Sequence, residues 1–320
     1  MRKCMMILVT IGLFILGFER ECFANEFVWQ NISREHTDLR AVLVNPDNPS
    51  IIYVGANNGI FKTEDAGANW RNILSVKGQN RSVNFLLLDP QDKNSLYAAT
   101  GNGLFYSFNQ GKSWKRIFQG KNYLENECTT IAVSPAIIYV GTKGGLFISK
   151  DRGRSWYKEK GKLGSSNILA IAYNKIEPRC IYVACIDGVF RTVDAGQAWE
   201  RIFVAHSTED GFETEEEAEV RDEEENASNM RYLTIDPNNS NYLYLATSRG
   251  VYKSQDRAKT WELVPSYGLL SQDVRFLLVS NKSYLYAVTK SGVFEYKGNR
   301  WQELSFGLAA VEVRFLALDK

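Results

Sequence analysis

Five aspartate or asparagine side chains recur in one local pattern. Asp65, Asn109, Asp151, Asp194 and Asp256 each lie two residues after a Ser or Thr and five before a tryptophan: Trp70, Trp114, Trp156, Trp199 and Trp261. Such repeated carboxylates could ligate a metal, act as acids or bases, or cap a turn. The spacing favours the turn. Three copies have a glycine two residues after the Asp, at Gly67, Gly153 and Gly196, where a tight turn needs a left-handed residue. The carboxylate is then expected to accept backbone N–H groups across a hairpin. Ala258 replaces that glycine before Trp261, and Asn109 replaces the Asp before Trp114. None of the five is read as catalytic or metal-binding.

A second series carries positive charge. Arg40, Arg231, Arg275 and Arg314 occupy one position near the start of a recurring apolar strand, where other units have Asn84, Thr129 and Leu169. Clustered guanidinium groups recognise carboxylates and other anions. Alternatively, each arginine pairs locally. Further binding candidates lie in the connections before these strands: Lys77, Arg81, Lys121, Tyr123, Lys158, Lys160, Lys162 and Tyr267.

The elements that must hold these residues follow from a repeat. The tryptophans fall at positions 29, 70, 114, 156, 199, 261 and 301, at intervals of 40 to 44 residues with one interval of 62. Periods of ~40–50 residues rich in short strands mark propeller blades. Each unit has an apolar strand, then a strand with a tyrosine at 53, 97, 139, 182, 244 or 286. Eight residues on comes Phe61, Phe105, Phe147, Phe190, Tyr252 or Phe294, two residues after a glycine. Pairs such as Asn58-Gly59 and Asp187-Gly188 read as type I′ turns, which would pair Ala56 with Phe61. Tyrosine and phenylalanine then face opposite sides, because side chains alternate along a strand. A sheet apolar on both faces must be sandwiched.

These motifs resemble the BNR/Asp-box repeat family, which includes sialidases, sortilin-type receptor domains, some glucan hydrolases and photosystem II assembly-factor propellers. The resemblance spans residues 27–318 and implies an all-β propeller of four-stranded antiparallel blades. It also implies that the turns with Asp lie on one face, and the site-bearing connections on the other. With strands lettered A to D outward from the axis, the chain reads as one D strand, six ABCD units and a last A strand, Val313 to Leu318. Seven blades with an incomplete closing blade are expected, with six as the alternative. The terminal strands are expected in one blade, where they could pair directly.

Residues 1–24 read as a signal peptide: Arg2 and Lys3, an apolar run from Met5 to Gly17, and a small residue at Ala24. The run is too short for a membrane span, which needs ~20 residues. Export after cleavage near Ala24 is expected, to the periplasm or outside the cell, with no membrane span in the remaining single domain, residues 25–320. Cys128, Cys180 and Cys185 then remain and read as buried free thiols. The net charge of +1 hides a segment, 207–227, with eleven carboxylates and one arginine. It reads either as a solvated disordered loop or as an acidic arm that covers a basic surface.

Sialidases of the family carry an Arg-Ile-Pro stretch near their start. Here the nearest strings are Arg116-Ile-Phe and Arg201-Ile-Phe. Only His36 and His206 are present, and there is no nucleophile elbow, zinc motif or phosphate loop. The expected function is therefore a non-catalytic protein-binding or assembly factor, monomeric and without cofactor. Its partner would be a protein or an anionic ligand, and nucleic acid is excluded by export. The alternative is a glycoside hydrolase, sialidase-like or glucan-active, with its site in the D–A connections.

Overall fold

The computed structural model describes residues 5–10, 13–19, 27–31, 38–173, 176–204, 229–305 and 313–318. The acidic segment 207–227 lies outside them. The described residues form antiparallel four-stranded sheets with two short helices, α1 (Tyr123–Asn126) and α2 (Gly161–Ser165).

Six blades follow one another along the chain, each with its four strands in sequence order from the axis outward. Their innermost strands are Leu39–Val44, Val83–Leu88, Cys128–Val133, Ile168–Tyr173, Met230–Asp236 and Val274–Val279. Neighbouring innermost strands touch in succession around the axis.

The expected seven-bladed ring with an incomplete closing blade is not what forms. The repeat builds six blades, as in the six-bladed alternative. The chain ends make a sheet of their own, with four strands rather than a two-stranded remnant. Its order is Val313–Leu318, Met5–Thr10, Leu13–Glu19, Phe27–Asn31, and Val313–Leu318 touches both Val274–Val279 and Leu39–Val44. Residues 27–31 and 313–318 thus share a sheet, but sit at its opposite edges. Two apolar strands from the segment read as a leader lie between them. That segment is rich in Ile, Leu, Val and Phe, which favour strands when nothing else claims them.

The blades hold together by burying both faces. Tyr53, Tyr97, Tyr139 and Tyr182 are almost fully buried on the second strands. Each core cluster mixes two neighbouring blades. Tyr53 and Ile60 of the first blade pack with Leu86, Leu96 and Ala98 of the second. Tyr97 of the second packs with Ile131, Ile138 and Phe147 of the third. Burying one such side chain contributes ~1.5–3 kcal/mol, so this seam is the main source of stability. Burial pushes the Tyr53 phenol up to about 12.

The glycine two residues before each aromatic has a different cause from the one expected. Ala56 pairs with Gly59, not Phe61, so Asn57 and Asn58 form the turn and Gly59 opens the third strand. A Cβ on Gly59 would lie 2.0 Å from the Leu74 carbonyl oxygen of the outer strand. Glycine is required because the fourth strand's backbone occupies the side-chain position. Val54 then pairs with Phe61, and Tyr53 still faces the other way.

The recurring aspartates cap turns. Asp151 accepts from the backbone N–H of Arg154 and Ser155 at 3.0 and 2.8 Å, and from the Ser149 hydroxyl at 2.8 Å. Asn109 reproduces the key bond, accepting from Ser113 N–H at 2.9 Å. Ala258 adopts the left-handed φ of 63° in place of glycine. Each tryptophan from Trp70 to Trp301 immediately precedes or opens its outer strand, whereas Trp29 lies inside Phe27–Asn31. Trp156 also donates its indole N–H to the Ile117 carbonyl of the preceding blade, at 2.8 Å. The turn therefore joins two blades as well as two strands. Cys128, Cys180 and Cys185 are buried and unpaired.

Bonds to hydroxyl and backbone donors hold the Asp65, Asp151 and Asp256 carboxyls down at about 2. A depressed folded-state value adds stability above the unfolded value near ~4, and loses it as the pH falls towards 2. Calorimetry between pH 5 and pH 2 should show the melting temperature falling mainly below pH 4. The triple variant Asp65→Asn, Asp151→Asn, Asp256→Asn should show a shallower fall. An equal slope in both proteins would rule out these carboxylates as its cause.

Candidate binding face

The strand order puts two sets of loops at one end of the axis: the turns between second and third strands, and the connections entering each innermost strand. The aspartate turns lie at the other end, beside the loops leaving the innermost strands, where Ala66 N–H bonds the Ser50 carbonyl. The site candidates all belong to the first end.

Every innermost strand begins with a β-bulge. Pairing skips one residue between Leu39 and Ala41, Val83 and Phe85, Cys128 and Thr130, Ile168 and Ala170, Met230 and Tyr232, and Val274 and Phe276. The skipped residues are Arg40, Asn84, Thr129, Leu169, Arg231 and Arg275. Where Val313–Leu318 pairs with Met5–Thr10, the same skip falls at Arg314. A bulge re-aims its side chain out of the ladder. This explains why one strand position accepts four different side-chain types.

What these residues do depends on their type. Asn84 donates to the Cys128 carbonyl of the next blade at 2.8 Å, and Thr129 donates to the Ile168 carbonyl of the next at 2.6 Å. They latch one innermost strand to its neighbour. Arg40 donates to the Asn57 side chain at 2.5 Å, and Asn57 in turn donates to Asp38 at 2.8 Å. Arg231 and Arg275 both face Asp273, each with its Nε 3.5 Å from a carboxylate oxygen. The four arginine positions fall on adjacent innermost strands in the order 231, 275, 314, 40, so they form an arc on one side of the axis. Arg314 belongs to this arc by its strand position.

The remaining candidates are dispersed. Arg81, Lys121, Tyr123 and Tyr267 are exposed, on three different connections. Tyr123 lies on α1, and the Tyr267 carbonyl accepts from Trp301 N–H at 2.8 Å. Among the described residues, no hydrogen bond or ion pair joins these four side chains to Arg40, Arg231 or Arg275. The structure adds residues that the sequence reading missed: Asp38, Asn57 and Asp273. A signal existed, since Asp38 and Asp273 each lie two residues before a bulged arginine.

Three further carboxylates on this face lie beside lysines. Glu125, nearly buried, pairs with Lys158 at 2.9 Å, and that bond holds its carboxyl below the usual range. Glu127 pairs with Lys143 at 2.8 Å. Asp187 accepts from Ser166 and lies 3.6 Å from Lys162. Among the described residues, no cluster of three or more His, Cys, Asp and Glu could hold a metal ion, and no helix is long and apolar enough to cross a membrane.

The fold defines the class, an all-β propeller of four-stranded antiparallel blades whose hairpins are capped by Asp-box-like turns. A family model for the BNR/Asp-box repeat matches residues 105–116, within the second blade. No curated protein matches the sequence significantly. Solved structures resemble it at low identity. One is a GH74 enzyme from Niastella koreensis, with a TM-score of 0.59 at 12% identity over 91% of this chain and 49% of that one. Another is the GH74 xyloglucanase from Xanthomonas campestris, at 0.58, 15%, 92% and 52%. A third is YCF48 bound to D1 peptide, at 0.56, 16%, 83% and 81%. The chain spans about half the length of those GH74 enzymes and most of the length of that YCF48 chain. Identities this low establish a shared fold alone.

The latch gives a measurable consequence. Thr129→Val keeps the shape and removes the hydroxyl that donates to Ile168. The loss should be about 1 kcal/mol, a net hydrogen bond, and the melting temperature should drop by roughly 2–4 °C. An unchanged melting temperature would show that the bulged side chain does not tie the blades together.

Proposed function

We propose that the protein is a non-catalytic recognition module that binds an acidic segment of a protein partner on its arginine-bearing face. One observation carries this reading: the four arginine positions fall at bulges on adjacent innermost strands, and Arg231 and Arg275 there face one shared carboxylate. A run of guanidinium groups at an axis mouth attracts carboxylates and orients them by bidentate hydrogen bonds. The structure of YCF48 with a D1 peptide supports it by analogy of fold, since a propeller of similar length there holds a peptide. We further propose that the protein acts after export; cleavage of residues 1–24 as a leader would take Met5–Thr10 and Leu13–Glu19 out of the closing sheet.

The GH74 neighbours keep a hydrolase as the second reading. The cation-paired carboxylates weigh against it. A general acid needs a raised pKa, and the Glu125–Lys158 pair lowers that of Glu125.

Binding of a glutamate-rich dodecapeptide should be measured by fluorescence anisotropy for the wild type and for Arg40→Ala, Arg231→Ala and Arg275→Ala combined. The triple variant should bind at least about tenfold more weakly in low salt, with the gap closing near 0.5 M NaCl. Equal affinity would sink the proposal. Release of reducing sugar from xyloglucan by the wild type would favour the hydrolase instead.

A further inference from the structure

The arc contains two kinds of acidic neighbour. Asp38 reaches Arg40 through Asn57, by bonds of 2.8 and 2.5 Å. Asp273 instead stands directly between Arg231 and Arg275, in the connection that enters the sixth innermost strand. Both of its contacts, at 3.5 Å, exceed the ~2.7–2.9 Å of a charge-assisted hydrogen bond. Its Oδ1 atom is buried and makes no hydrogen bond. Other carboxylates on this face are held more closely, as Glu125 is by Lys158 at 2.9 Å and Glu127 by Lys143 at 2.8 Å. Asp273 therefore neutralises its two arginines without being well bonded to them. The Arg231 side chain remains 46% exposed, and that of Asp273 27%. A buried acceptor left without a donor is a costly state that rearrangement can relieve.

We infer that Asp273 is a resident carboxylate in the anion subsite of Arg231 and Arg275, and that a partner's carboxylate binds by displacing it. The inference rests on the arginine face being the binding surface. Displacement exchanges one carboxylate for another, so the local charge balance is restored once Asp273 swings towards solvent. The exchange discriminates by geometry. A ligand carboxylate that reaches both guanidinium groups at normal hydrogen-bond length gains over the loose internal pair. A weakly placed anion does not. Asp273 thereby sets a threshold affinity and keeps the arc from holding small anions indiscriminately.

The test uses two peptides with the full chain. One is glutamate-rich with an amidated C-terminus. The other is uncharged in its side chains, with a free C-terminal carboxylate and an acetylated N-terminus. Dissociation constants are measured at low salt for the wild type, Asp273→Asn, Asp273→Ser, and the double variant Arg231→Gln, Arg275→Gln. Removing the resident charge a few ångströms from both guanidinium groups should tighten binding of at least one peptide by about tenfold. The peptide that gains identifies a side-chain or a terminal carboxylate as the ligand. The arginine double variant should lose that binding. If it does, while both Asp273 variants bind no tighter than the wild type, the displacement model fails and the arginine face stands. If the double variant binds as the wild type does, the arginine face itself is refuted. Should one Asp273 variant fail to fold, the other decides. The Nε–Hε resonances of Arg231 and Arg275 in the wild type provide a further check, because peptide that leaves both unmoved also overturns the model.

Discussion

The structure depends on one constraint: every blade is apolar on both faces. A strand carrying Tyr97 on one side and Phe105's neighbours on the other cannot leave either side to water. The cheapest arrangement stacks each sheet between two others, and the twist of the sheets bends the stack into a ring. The mixed clusters bear this out, since Tyr53 packs against Leu86 and Ala98, and Tyr97 against Ile131 and Phe147, always across a blade boundary. The Asp-box turn serves the same seam. Its glycine lies against the preceding blade: a Cβ on Gly111 would lie 2.5 Å from Ile73, and one on Gly153 would lie 2.9 Å from Ile117. A motif that looks like a local turn is thus also a contact between blades.

That rigid seam explains how a variable site can coexist with a strict repeat. Blade packing fixes the innermost strands, and the bulge at the start of each frees one residue from the ladder. The freed residue can tie its blade to the next, as Asn84 and Thr129 do, or carry charge, as Arg40, Arg231 and Arg275 do. The scaffold tolerates both because the bulged residue is freed from the ladder, and only where it is apolar, as Leu169 is, does it pack against the core. Binding chemistry can therefore change at this position with little effect on the fold. The same division places the capping aspartates at the far end of the axis. There they hold hairpins, and arginines in the capped turns reach the preceding blade, Arg152 to Asp89 and Arg257 to Glu177.

Much was legible in the sequence because it was periodic. The tryptophan intervals, the tyrosine eight residues before an aromatic and the Ser/Thr-x-Asp pattern define the four-stranded unit and the capping role of Asp65, Asp151, Asp194 and Asp256. They also locate the arginine series at one strand position. Two local inferences went astray for physical reasons. The turn dipeptide was read one residue late, because Asn58-Gly59 has the composition of a type I′ turn. The glycine is in fact required by the Leu74 carbonyl of a neighbouring strand, which no local pattern displays. The closing sheet was read as incomplete because the apolar segment 5–19 resembles a leader, and pairing preference at that distance in sequence is invisible.

The sequence alone determined the repeating unit and the two-faced apolar blades. Each of these follows from side-chain alternation and spacing within about forty residues. Only the tertiary structure decided which distant residues share a neighbourhood. It put Asp273 between Arg231 and Arg275, joined Asp38 to Arg40 through Asn57, and brought residues 5–19 between the two terminal strands. Those relations depend on blades meeting around an axis. Contacts across a ring are set by packing between units and not by the order of residues within one.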